Sequence, residues 1–112
     1  MMLSDILARA DGIRPNTIPA ETKAAWVYEL EAEFAESMGL EIPENPFPDN
    51  GELLMPDAYS SSYVWHVCKN ISAANKDTEV YALDSQVASQ EKGRALAWYR
   101  RGHESKRRVW QV

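Results

Sequence analysis

The chain has 112 residues, a net charge of −5 and a hydrophobic fraction of 45%. A chain of this length fits one domain and can build a core without disulfides or a structural metal. Because Cys68 is its single cysteine, no disulfide can form within the chain.

The charge is unevenly distributed. Residues 1–60 contain 3 Lys and Arg against 12 Asp and Glu, and residues 61–112 contain 9 against 5. Such asymmetry is typical either of ordinary solvated surfaces or of two faces with different neighbours. No segment reaches the roughly 20 apolar residues of a membrane span, and the N-terminus lacks the features of a signal peptide. We therefore expect a soluble protein that is intracellular during synthesis.

Two helices are predicted before residue 40. Ser4 is the expected N-cap of a short first helix that stops at Gly12 and the following Arg14-Pro15. A second helix is expected to begin near Pro19 and to end at Gly39, which can adopt the left-handed conformation. Steps of four predict its apolar stripe, which consists of Trp26, Leu30, Phe34 and Met38.

Residues 40–56 form an irregular segment, because Pro43, Pro46, Pro48 and Pro56 exclude a helix. Segments of this length without secondary structure are uncommon in compact domains and are often functional. We expect an arm that leaves the bundle and packs on a neighbouring subunit. A self-packed or disordered loop is the alternative.

Two more helices are expected after this segment. The third covers about residues 57–75, and Val64 and Cys68 flank its core face, which consists of Tyr59, Tyr63, Val67, Ile71 and Ala74 or Asn75. Asp77 or Thr78 caps the fourth and longest helix. Its predicted core stripe consists of Val80, Leu83, Val87, Ala95 and Trp98. At Gly93 in its middle we expect the close approach of another helix. The predicted fold is all-α: a small antiparallel four-helix bundle over residues 1–103, followed by a basic tail at 104–112.

Catalytic chemistry is sparse. His66 and Cys68 would suggest a metal site or a nucleophilic dyad, but His103 is the one other histidine and a second cysteine is lacking. Residues two apart on a helix also point in different directions, so a buried or half-buried structural role is expected for both. The serines at 60–62 lack the strand–turn–helix context of a hydrolase nucleophile, and the isolated glycines form no phosphate-binding loop. We predict no enzyme, no catalytic residue, no cofactor and no metal.

Aromatic and basic residues suggest interfaces instead. Trp65 lies beside the apolar stripe of its helix, and Trp110 lies beyond the bundle. The basic cluster consists of Arg100, Arg101, Lys106, Arg107 and Arg108. Such residues contact phosphates without reading sequence, and the acidic chain disfavours DNA binding by itself. Incidental contact with DNA that passes through a pore fits better.

Three stretches carry a family resemblance. They are Thr22–Glu31 (TKAAWVYELE); Leu53–Tyr59 (LLMPDAY), followed by Tyr63-Val64, Asn75 and Tyr81; and Ala97–Arg101 (AWYRR). In this order and spacing they resemble the small head–tail connector, or adaptor, proteins of tailed phages and prophages, over roughly residues 3–103.

The resemblance implies a structural protein of the virion neck, present in the host cytoplasm during assembly. About twelve copies would form a ring beneath the portal protein through head-to-tail contacts. The ring would extend the DNA channel, help to retain the genome and dock the next neck or tail-completion protein. Its expected partners are further copies of itself, the portal, that downstream protein and, incidentally, packaged DNA, with no membrane.

We expect the interface residues to be Phe47, Leu53, Leu54, Trp65, Arg100, Arg101, Lys106, Arg107, Arg108 and Trp110. The alternative function is a small helical regulatory or DNA-associated protein from a mobile element. Salt-dependent retention on duplex DNA would distinguish such a regulator from a connector.

Overall fold

The computed structural model describes the backbone of residues 1–111 and the side chains of residues 1–102. It confirms the all-α prediction. In chain order the helices are α1 (Leu3–Ile13), α2 (Ala20–Met38), α3 (Ser61–Ala74) and α4 (Thr78–Gln111), with a short 3-10 turn at Asp57–Tyr59 before α3. Buried side chains from α1, α2, α3 and α4 form one core cluster.

The first helix begins differently from the prediction but ends, as predicted, before Arg14-Pro15. Met2, not Ser4, is its N-cap. Ser4 is held instead from outside the helix, because its backbone N–H donates to Asn50 Oδ1 at 3.0 Å and its hydroxyl accepts from Asn50 Nδ2 at 2.8 Å. The helix continues through Gly12 to Ile13 and stops just before Arg14-Pro15. A distant loop thus takes the role that a local cap was expected to have.

The second helix agrees with the sequence at both ends. Pro19 occupies its N-cap, and Gly39 ends it at φ 68° in the left-handed region. Leu30 and Phe34 of the predicted stripe are fully buried, whereas Trp26 and Met38 are half-buried at the edge of the core. The charged residue Glu31 is also buried, which the stripe did not predict.

Glu31 is buried because it ties the irregular segment to the core. Its carboxylate accepts a hydrogen bond from Tyr63 Oη at 2.6 Å and one from the Leu54 backbone N–H at 2.8 Å. Tyr63 Oη in turn accepts from the Met55 N–H at 3.1 Å. Burial raises the pKa of Glu31, and the two donors offset part of that rise.

The second half of residues 40–56 does not leave the bundle, so the prediction of an arm is wrong there. Leu53 and Met55 are buried in the chain's own core. The Leu53 N–H donates to the Met1 carbonyl at 2.8 Å, and the Leu3 N–H donates to the Gly51 carbonyl at 2.8 Å. Hydrogen bonds to the N-terminus and to Glu31 therefore satisfy a backbone that has no helix of its own.

The third helix buries the middle of its predicted face, but Ala74 and Asn75 at the end of that face are exposed. Tyr63, Val67 and Ile71 are fully buried, as are their neighbours Val64 and Cys68. Tyr63 meets Phe34 edge to face, with ring centroids 5.5 Å apart. The 3-10 turn replaces the first turn of the predicted helix and leaves Tyr59 half-buried outside it.

The fourth helix faces the core with a different side from the one predicted. Asp77 caps its start as expected, since Asp77 Oδ1 accepts from the Val80 N–H at 3.2 Å. Of the predicted core stripe, however, Leu83 is 62% exposed and Trp98 38% exposed. Ala95 of that stripe is buried as predicted, and the other buried residues among the described side chains of α4 are Asp84 and Ala88.

A buried ion pair accounts for this rotation. Asp84 is 1% exposed and accepts from Arg14 Nε at 2.9 Å, from Arg14 Nη2 at 2.7 Å and from Ser72 Oγ at 2.7 Å. Successive helical residues differ by about 100°, so turning Asp84 inward turns Leu83 toward solvent. The expectation for Gly93 is also wrong, because nothing lies within 4 Å of where its Cβ would be.

Candidate interaction surfaces

The outer face of α4 carries a row of accessible apolar side chains. At helical spacing Val80, Leu83, Val87 and Trp98 lie on one side of the helix, and we call these four residues the α4 stripe. Leu83 and Trp98 are exposed, and Val80 and Val87 are half-buried. Single exposed apolar residues are ordinary, but a row of them along one helix is typical of a contact surface.

Aromatic contacts position the C-terminal end of this stripe. The ring of Trp98 lies 5.4 Å from the ring of Tyr59, and the Arg94 guanidinium lies 5.5 Å from the same tyrosine ring. Next to Trp98, Tyr99 Oη donates to the Met38 carbonyl at 3.0 Å, which fastens α4 to the end of α2. Trp98 is therefore held in one place while more than a third of it remains accessible.

The basic residues of α4 are divided between its sides. Arg94 and Arg101 fall within the same angular sector as Leu83, whereas Arg100 lies on the far side of the helix. Both Arg100 and Arg101 are exposed. The sequence grouped the two as one interface cluster, but helical geometry places only Arg101 beside the α4 stripe. The side chains of Lys106, Arg107, Arg108 and Trp110, also predicted as interface residues, lie outside the described residues.

The first half of the irregular segment offers a second surface, which we call the acidic loop (residues 40–49). Leu40 and Ile42 are each 50% exposed, and Glu41 and Glu44 beside them are exposed as well. Phe47 of this loop is half-buried against the core. The loop therefore presents apolar side chains between carboxylates, while the α4 stripe presents apolar side chains beside arginines.

Of three further predicted interface residues, one lies in the core and two are half-buried. Leu53 is 5% exposed in the core, so its side chain is not presented to a partner. Leu54 is half-buried, with its backbone bound to Glu31. Trp65 is half-buried against the core, with the Arg14 guanidinium 6.0 Å from its ring. The local sequence around an apolar residue such as Leu53 does not show whether its side chain packs on a partner protein or in the chain's own core.

The pair that suggested chemistry occupies two separate environments. Cys68 is fully buried, and burial, with the nearby Asp84, raises the pKa of its thiol to about 11. His66 is half-buried and lines a cavity on another side of α3. Within residues 1–102, His, Cys, Asp and Glu form no group of three or more that could hold a metal ion.

Comparisons with known proteins add no relatives. No protein-family profile, curated protein or solved structure matches the chain. Over the described part of the chain, none of the helices combines the length and the apolar composition that a membrane crossing requires.

Proposed function

We propose that the chain is a structural protein of a phage or prophage neck: a head–tail connector that assembles into a ring under the portal. The observation that carries the proposal is the pair of exposed surfaces on one molecule, the α4 stripe and the acidic loop. Each joins apolar area to charge, and the charges are opposite.

Two surfaces of opposite charge on one chain favour head-to-tail contacts between copies. In such a contact the loop of one copy, with Glu41 and Glu44, packs on the α4 stripe of the next, beside Arg101, since Arg94 is already paired with Glu91 at 2.6 Å. Heterologous contacts of this kind close into a ring when the rotation between copies divides a full turn. Because apolar area supplies the affinity and the charges orient the partners, both are needed.

The remaining roles follow from the family resemblance. The ring, of about twelve copies, extends the DNA channel of the portal and docks the next neck or tail-completion protein. It contacts packaged DNA incidentally and acts in the virion neck after assembly in the host cytoplasm. No enzymatic step is part of this role.

Native mass spectrometry across a concentration series, with negative-stain imaging of the largest species, tests the proposal. We expect closed rings, either from the chain alone or after addition of a purified portal ring. A chain that stays monomeric in both settings refutes the proposal. Retention on duplex DNA at about micromolar concentration with a steep salt dependence supports the regulatory alternative.

Substitutions on α4 test which surface makes the contact. Leu83→Glu places a charge in the α4 stripe and is expected to abolish ring formation. Ala82→Glu is the matched control, since Ala82 is exposed on the same helix but lies outside the stripe. Charge reversal of Arg100 and Arg101 together is expected to weaken assembly. Normal assembly of that double variant would remove these arginines from the interface.

A further inference from the structure

A cavity of about 310 Å³ lies between α2, α3 and α4. Its polar wall includes His66 and Lys69 from α3 and Ser85 and Lys92 from α4, while Leu30 and Ala88 contribute apolar surface. It lies apart from both surfaces used in the proposed function. What it binds can therefore be argued independently.

Two buried polar atoms in this wall have no hydrogen-bond partner among the described residues: His66 Nε2 and Ser85 Oγ. A helical serine ordinarily satisfies its hydroxyl with a backbone carbonyl one turn earlier. Leaving such an atom buried and unpaired is destabilising, and native proteins have few of them. Two such unpaired atoms in the wall of one cavity favour a polar ligand as its occupant.

The charges around the cavity favour a single negative charge. Lys69 and Lys92 contribute two positive charges, and Glu33 of α2 contributes one negative charge through its 2.9 Å ion pair with Lys92. Tyr81 is the other titratable group in the wall. His66 is neutral at pH 7, because burial and the neighbouring lysines lower its pKa to about 4 against the opposing effects of Glu33 and the Trp26 backbone. The wall thus carries one net positive charge.

We propose that this cavity binds a carboxylate group, held by the Lys69 ammonium and the Ser85 hydroxyl, with its alkyl chain against Leu30 and Ala88. A phosphate dianion would exceed the charge of the wall, whereas a carboxylate matches it. In the neutral ring His66 Nε2 carries a lone pair, whereas in the protonated ring it carries an N–H that can donate to the carboxylate. Because a bound carboxylate stabilises the protonated ring, binding raises the pKa of His66.

The carboxylate has two potential sources with the same chemistry: a small free acid, or an aspartate or glutamate side chain of a docking protein. The proposal for the cavity holds for either source and does not depend on ring formation. An occupant of the second kind would make the cavity a specificity element at a protein contact.

NMR titration of the folded chain with propionate, observing the His66 imidazole and the Ser85 amide, tests the proposal. Sodium chloride at the same ionic strength is the control. Propionate is expected to shift both signals saturably, to raise the pKa of His66 and to bind more tightly as the pH falls from 7 to 5. Chloride is expected to leave both signals in place.

Variants decide whether the named groups bind the probe. Lys69→Gln removes a charge-assisted hydrogen bond and is expected to weaken propionate binding about tenfold. Ser85→Ala is expected to weaken it less. Lys76→Gln is the control, because Lys76 is exposed and outside the cavity. Equal responses to propionate and chloride, or unchanged binding by folded Lys69→Gln, would overturn the proposal.

One further arm identifies the source of the carboxylate. If saturating propionate weakens self-association or portal binding, the natural carboxylate is a protein side chain. If propionate binds without any effect on assembly, it is a free acid. Failure of ring formation in both settings would refute the proposed function and leave the propionate result unaffected.

Discussion

Asp84→Asn is a nearly isosteric change at the residue that sets the rotation of α4. The carboxylate accepts three hydrogen bonds, two from Arg14 and one from Ser72. An asparagine retains one acceptor oxygen, but its amide turns a donor toward donors and removes the negative charge. Breaking a buried ion pair costs about 3–5 kcal/mol.

The cost is smaller here because one partner is partly solvated. Asp84 is 1% exposed, but the Arg14 side chain is 32% exposed and can recover part of its hydration. We therefore expect Asp84→Asn to lower the free energy of unfolding by about 2–3 kcal/mol at pH 7. Urea unfolding followed by far-UV circular dichroism measures this loss. Asp49→Asn, the same change in an exposed loop, is the control and is expected to stay within about 0.5 kcal/mol of wild type.

The Arg14–Asp84 ion pair also predicts how the stability difference between wild type and Asp84→Asn depends on pH. Burial alone would raise the pKa of Asp84, but the hydrogen bonds from Arg14 and Ser72 outweigh it, so the pKa lies below its ordinary value. The unfolded chain then binds the proton first as the pH falls below about 4, and the wild type loses this stabilisation. The difference in the free energy of unfolding between wild type and Asp84→Asn should decrease toward pH 2. A loss below about 0.5 kcal/mol at pH 7, or a gap that is constant with pH, would refute this reasoning.

Three other changes test separate parts of the structure. Tyr63→Phe leaves Glu31 and the Met55 N–H each without one buried partner, so we expect a loss of about 2–3 kcal/mol in urea unfolding; a loss under about 0.5 kcal/mol would contradict the role of this network. Cys68 is buried and its thiol pKa is raised, so iodoacetamide at pH 8 should modify it only upon unfolding, as followed by intact mass. Rapid labelling of Cys68 in the folded protein would contradict the burial of its thiol. Gly39→Ala is expected to cost about 1 kcal/mol because of its positive φ; an unchanged unfolding midpoint would mean that this helix end can relax.

Local patterns were sufficient to predict the helices and most of their caps, but not the N-terminal cap of α1. Pro19 and Gly39 set the ends of α2 through backbone conformations that each residue type imposes by itself. The first turn of α1, in contrast, is held by Asn50, from a loop more than forty residues away in sequence. The sequence near α1 does not indicate that Asn50 binds its first turn.

The candidate surfaces were predictable to a similar extent. Exposed Arg100 and Arg101 follow from charge alone, and exposed Glu41 and Glu44 follow from a proline-rich acidic segment. Leu53 did not follow, because an apolar side chain in an irregular segment suits an interface and a core equally well. The cavity at His66 also escaped prediction, since its wall combines side chains of three helices.

The sequence by itself determined the all-α class, the number of helices, the buried face of α3 and the polar surface of α2, since each depends on the spacing of residue types along one helix. Only the tertiary structure decided which side of α4 faces inward. Hydrophobic periodicity favoured Leu83, but Asp84 lies inside because Arg14, just after α1, and Ser72 of α3 meet it there. A charge that is costly to bury alone becomes acceptable when its partners arrive with the fold, and the leucine beside it is left on the surface.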